Sequence, residues 1–258
     1  MAASGGGNGV VVVFDFDKTI IDCDSDNWVV DALGATARFD DLLCRLPWNS
    51  AIDAMMGELH AEGRTVEEVA ASLRAAPLSP RVAAAVETAR ALGCELRVLS
   101  DANAFFVGAV LDHHGLAGCF SAGKVMERII DELSCGCGGA LAARRRRVVY
   151  VGDGRGDYCP SLKLTEMDYV MPRKGYPVWD LIAGGDRAAV RADVREWADF
   201  EDLEAVLLGI VAECLTSEHD DADDDGGEAA PPAECRALPA TLASGQEAIL
   251  PKAVHVPN

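Results

Sequence analysis

Val10-Val11-Val12-Val13-Phe14-Asp15-Phe16-Asp17-Lys18-Thr19 decides how this chain is to be read. Five apolar residues in an unbroken row, four of them β-branched, suit a strand buried on both faces, the setting of a central strand in a parallel sheet. Such a strand delivers two aspartates at its carboxyl end. Outward along the chain the same arrangement recurs. Glu95 to Leu99 ends in Ser100-Asp101-Ala102-Asn103, and Arg147 to Val151 ends in Gly152-Asp153-Gly154-Arg155-Gly156-Asp157. A fourth strand over Asp168 to Met171 ends in Pro172-Arg173-Lys174.

Helical patterns separate these strands. Ser79-Pro80 opens one that runs to about Leu92, with Gly93 as a left-handed stop, and others cover Ala104 to His114, Lys124 to Leu133, Pro177 to Ile182 and Asp199 to Glu213. Strands alternating with helices predict an α/β fold, a Rossmann-like parallel sheet. In open sheets of this kind ligands lie beyond the carboxyl ends of the strands, so the three polar clusters are expected on one edge. Between the first two strands, apolar residues at helical spacing (Trp28, Val29, Leu33; Ile52, Met55, Met56, Leu59) predict a small helical cap inserted after the first strand. The expected division is a core of residues 1–21 and 78–216, a cap of 22–77, and a disordered acidic tail of 217–258, where the composition turns to Asp, Glu, Pro and Ala without periodicity.

The formal charge is −19, from 42 acidic and 23 basic residues. That balance excludes sequence-blind attraction to nucleic acid phosphates or anionic membranes and suits a cation or a cationic ligand. No apolar run approaches the ~20 residues that a membrane span needs. Nine scattered cysteines, an odd number, read as free thiols of a reducing compartment, and a cytoplasmic location is expected.

Asp15 and Asp17, two positions apart on an extended chain end, would point the same way, and two adjacent carboxylates call for a cation. Asp153 and Asp157 on a glycine-bounded loop add oxygen donors. An all-oxygen set with room for water and a phosphate is the chemistry of Mg²⁺ and not of zinc.

On Asp15-Phe16-Asp17-Lys18-Thr19, Ser100 and Gly152-Asp153-Gly154-Arg155-Gly156-Asp157, the chain resembles the haloacid dehalogenase superfamily of aspartate-nucleophile phosphatases. In finer wording it is similar to the phosphoethanolamine/phosphocholine phosphatases, whose plant members are described as inorganic pyrophosphatases or thiamine phosphate phosphatases. The resemblance covers roughly Val10 to Glu213. It implies that Asp15 is the nucleophile, that Asp17 acts as acid and then base, and that Ser100 binds the phosphate. It implies Mg²⁺ held by Asp15, Asp17 and Asp153, with Asp157 behind them, and a small phosphorylated metabolite as substrate. Asp26 and Asp101 correspond to positions that face a substrate ammonium.

The resemblance also implies a third-motif lysine that balances the charge of phosphate and nucleophile. Here Cys119-Phe120-Ser121-Ala122-Gly123 runs almost directly into Lys124-Val125-Met126-Glu127-Arg128, as though a few dozen residues had been deleted. Lys124 is the candidate for the lysine, but alignment on Val125 to Ile129 puts Ala122 at the motif position. A turnover-impaired protein that binds only metal or phosphate is therefore the alternative to an active phosphatase.

Overall fold

The computed structural model describes residues 9–121, 146–185 and 189–220. Its centre is one six-stranded sheet in the order β3-β2-β1-β4-β5-β6, with every adjacent pair parallel. The strands are β1 (Val10–Phe14), β2 (Glu95–Val98), β3 (Phe120–Ser121), β4 (Arg147–Gly152), β5 (Tyr169–Pro172) and β6 (Asp193–Val194). β1 lies between β2 and β4, with Val12 opposite Leu96 on one side and Val149 on the other. All five of its residues are buried.

Alternation divides those residues between two cores. Val10, Val12 and Phe14 pack with Val86, Phe106, Leu207 and Ile210, while Val11 and Val13 pack with Tyr150, Leu164, Val178 and Ile182. The first set draws on α5 (Pro80–Ala91), α6 (Ala104–His113) and α8 (Phe200–Asp220), and the second on α7 (Pro177–Gly184). Each fully buried valine of β1 contributes about 1.5–3 kcal/mol relative to exposure, which is why the strand needs no polar residue until Asp15.

Between β1 and α5 the chain makes α1 (Ser25–Ala32), α2 (Thr36–Leu43), α3 (Trp48–Ala61) and α4 (Val66–Arg74). Val30, Phe39, Ala51, Met55 and Leu59 give this insertion a small core of its own. Thr65 and Glu68 form a reciprocal capping box at the start of α4. The chain leaves the sheet and returns to it at one place, where Ile21 bridges Leu78 and the Asp22 N–H donates to the Pro77 carbonyl at 2.8 Å.

Two findings differ from the sequence expectations. The two outermost strands, β3 and β6, were not anticipated; each has two residues and one partner strand, too few for a period to register. α8 continues past Glu213 to Asp220, so residues 217–220 of the expected tail are helical. Asp24 caps α1, accepting from the Asn27 N–H at 3.0 Å, and Asp26 lies in the first turn of that helix. The expected helix over Lys124 to Leu133, Lys124 itself and the remainder of the acidic tail lie outside the described residues. Among the described residues no helix is long and apolar enough to cross a membrane.

Candidate active site

Because the strand order reverses between β1 and β4, the loops leaving these neighbours diverge and open a crevice at the carboxyl edge. A cavity of about 530 Å³ lies there, lined among others by Asp15, Asp17, Lys18, Ser100, Asp101 and Asp153. Asp157, Asp24, Tyr150 and Arg155 also line it. Three loops separated by scores of residues thus meet around one space.

Asp15 is tied to the sheet by its N–H, which donates to the Val151 carbonyl at 2.8 Å. Carboxylate oxygens of Asp15, Asp153 and Asp157 all lie within 4.8 Å of one another. Such crowding of like charge with little water makes a carboxyl harder to ionise and raises its pKa. Burial, then the charges of Asp157 and Asp153, push Asp15 up to about 9, against the lowering effect of hydrogen bonds from the Ser100 hydroxyl and the Phe16 N–H. Burial and Asp157 push Asp153 up to about 6, while Lys18 and Arg173 pull it down.

Asp157 is held by a hydrogen bond to each of its carboxylate oxygens. The Tyr150 hydroxyl donates to its Oδ1 at 2.6 Å and the Gly154 N–H to its Oδ2 at 2.7 Å. A Cβ on Gly152 would collide with this carboxylate, so glycine is required by close approach and not by its φ. Thr19 is fully buried, and its hydroxyl donates to Asp153 at 3.4 Å.

Asp17 behaves differently. Its side chain is not among the three clustered carboxylates; Oδ1 accepts from the Ser25 N–H at 2.9 Å and Oδ2 from the Ser25 hydroxyl at 3.2 Å. Burial, opposed by those Ser25 bonds and assisted by Asp24 and Asp26, brings it up to about 7. An acid of that strength can give and take a proton near neutral pH. The donor set of the cluster is carboxylate oxygen without histidine or cysteine, which fits a hard divalent cation.

Of the residues expected to contact substrate, Asp101 lines the cavity and is exposed. Asp26 is not among its lining residues, and its carboxylate accepts from Trp48 Nε1 at 2.8 Å. Tyr150, Ser25 and Lys18 were not singled out from sequence. Tyr150 sits inside an apolar run and Ser25 in a polar one, and neither carried a separate signal.

The family described as "Putative Phosphatase" matches residues 10–126 and 122–211. The two segments overlap at 122–126, which puts a break in the family pattern at that point. Inorganic pyrophosphatase 2 of Arabidopsis thaliana is 44% identical over 249 aligned positions, covering 84% of this chain and 89% of the relative. As 84% of 258 residues is about 217, some 32 aligned positions have no counterpart here. A thiamine phosphate phosphatase-like protein of the same plant is 37% identical over 243 positions, covering 82% of this chain and 98% of the relative. The phosphoethanolamine/phosphocholine phosphatase of Homo sapiens is 28% identical over 250 positions, covering 83% and 93%. With the pattern met from residue 10 to 211 and two plant relatives above one-third identity across most of the chain, this protein belongs to the "Putative Phosphatase" family, phosphatases of the haloacid dehalogenase superfamily.

Proposed function

We propose that this chain hydrolyses a small phosphate compound through an aspartyl-phosphate on Asp15 with the aid of Mg²⁺, and that inorganic pyrophosphate is its foremost substrate. The observation that carries the reading is the pairing of three crowded carboxylates with a neighbouring acid, Asp17, brought to about 7. In the first half-reaction an Asp15 oxygen attacks phosphorus and forms the new P–O bond. As the bond to the leaving oxygen breaks, Asp17 gives that oxygen its proton. In the second half-reaction Asp17 takes a proton from water as the water oxygen attacks the same phosphorus, releasing phosphate and restoring Asp15. Ser100, at hydrogen-bond distance from Asp15, is placed to donate to a phosphate oxygen at the nucleophile. Bound Mg²⁺, held by Asp15, Asp153 and the backbone of Asp17 with Asp157 supporting them, would neutralise the charge of the phosphoryl oxygens. The Ser25 bonds leave the Asp17 side chain to the proton work.

Pyrophosphate is favoured because the 44% identical relative is called an inorganic pyrophosphatase, and because Lys18 and Arg155 line the same cavity as the carboxylates. Phosphoethanolamine and phosphocholine are the second reading, supported by Asp24 and Asp101 at that cavity; a thiamine monophosphate phosphatase is the third, supported by the thiamine phosphate phosphatase-like relative. A parallel panel of these substrates on the purified chain, with and without Mg²⁺, decides between them. Asp101→Ala is expected to raise kcat/KM for pyrophosphate by about threefold to tenfold and to lower it for phosphoethanolamine by a similar factor, because one carboxylate repels one leaving group and attracts the other. Equal changes for the two substrates would remove Asp101 from the specificity argument. Cys23, Cys44, Cys119, Cys159 and Cys214 are thiols outside any disulfide, which supports a reducing, cytoplasmic setting as part of this reading.

A further inference from the structure

Lys18 has a φ of 54° and is the one non-glycine residue in the left-handed region among the described residues. A long side chain there is disfavoured by contact between Cβ and the following carbonyl, so the surroundings must hold the residue in place. Both of its backbone polar groups are held. The N–H donates to the Cys23 carbonyl at 3.0 Å, and the carbonyl accepts from Arg173 Nη1 at 2.6 Å, a contact across 155 positions of sequence.

Arg173 reaches two further places. Its Nη2 donates to Asp22 Oδ1 at 3.1 Å, where the chain departs for the helical insertion. Its own N–H donates to the Gly152 carbonyl at 2.9 Å, one residue before Asp153. The guanidinium cannot easily move: the residue is 7% exposed, and its Cζ lies 4.4 Å from the ring centre of Tyr176, 5.0 Å from Trp197 and 5.1 Å from Phe200. Aromatic faces on a desolvated guanidinium compensate its charge and fix its plane. Arg173 therefore joins the Asp15–Thr19 loop to the base of the insertion through a side chain clamped by three rings, and is itself tied by its backbone to the end of β4, next to Asp153.

We propose that Arg173 is the positioning residue of this site: it holds Lys18 in its left-handed conformation and so fixes Asp15 and Asp17 relative to Asp153. The inference rests on the phosphatase reading for its kinetic consequence, but the conformational claim stands by itself. A misplacement of about 1 Å in a reacting group costs on the order of 100-fold in rate. Arg173→Met, which keeps the apolar stem, is expected to lose about that factor in kcat for pyrophosphate with Mg²⁺, with KM changed by less than about threefold.

Hydrogen exchange on the same variant separates positioning from general loosening. The amides from Lys18 to Cys23 are expected to exchange at least about tenfold faster, while those of Val11 to Val13 in β1 keep their protection. Arg173→Lys keeps the charge but not the two-pronged contact; it is expected to fold and to lose about tenfold in kcat. A kcat within threefold of wild type in either variant, or an exchange increase spread equally over β1, would overturn the proposal. If the wild-type chain itself releases no phosphate, the functional reading fails, and the exchange pattern alone decides whether Arg173 holds the loop.

Discussion

Asp15→Asn is expected to reduce phosphate release by at least about 10³-fold while the fold survives, because the amide is nearly isosteric with the carboxylate but does not attack phosphorus. The same change should alter stability in a pH-dependent way. In the absence of metal, burial and the charges of Asp157 and Asp153 raise Asp15 to about 9 from an ordinary value of 3.8. A carboxyl whose folded pKa is raised gives stability that is complete below its unfolded pKa and lost as pH climbs toward the folded one. The metal-free wild type should therefore weaken between about pH 4 and pH 9, whereas the amide stays neutral throughout. Melting in EDTA is expected to coincide for the two proteins near pH 4 and to favour the variant by several degrees near pH 8. Melting curves that shift in parallel across that range would contradict the electrostatic account of the cluster.

The second large effect concerns the break in the family pattern at 122–126. On the reading that Ala122 stands at the motif position, the site lacks one of the positive charges that would offset a phosphate dianion at Asp15, and one missing charge in a site poor in water costs about 10²–10³ in rate. Inserting the corresponding segment of the 44% identical relative before Gly123 is expected to raise kcat by about that factor. Lys124→Ala in the unaltered chain should change kcat by less than about twofold on the alignment that puts Ala122, and not Lys124, at the motif position. Loss of a robust activity on Lys124→Ala would mean that Lys124 itself serves the phosphate, and the alignment on Val125 would be wrong.

The parts of the fold that were legible are those whose burial is uniform. β1 carries an unbroken valine run and β4 one interrupted only by Tyr150 because both faces are covered, and Gly93, with φ of 90°, ends α5 where the sequence placed a stop. β3 and β6 escaped notice because an edge strand of two residues needs no pattern of its own.

At the site, spacing after three apolar runs was enough to bring Asp15, Asp17, Ser100, Asp101, Asp153 and Asp157 to one cavity. Spacing could not say where each carboxylate turns. Asp17 turns to Ser25, a residue of the insertion, and Asp157 joins Asp15 and Asp153 because Tyr150 and Gly154 aim it there. Asp26 illustrates the opposite case: its partner, Trp48, is 22 positions away on another helix, and nothing in the local sequence announces that contact. Arg173 looked like one of two charges trailing a strand, and only folding sets it against Lys18.

The most direct test of the central claim is to trap the covalent intermediate during turnover of pyrophosphate with Mg²⁺. Acid quenching followed by borohydride reduction converts an aspartyl-phosphate to homoserine, and peptide mass spectrometry locates the converted residue. The account predicts conversion at residue 15, dependent on substrate and absent in Asp15→Asn. Sustained turnover with no conversion at residue 15, or with conversion at Asp17 or Asp153 instead, would contradict it.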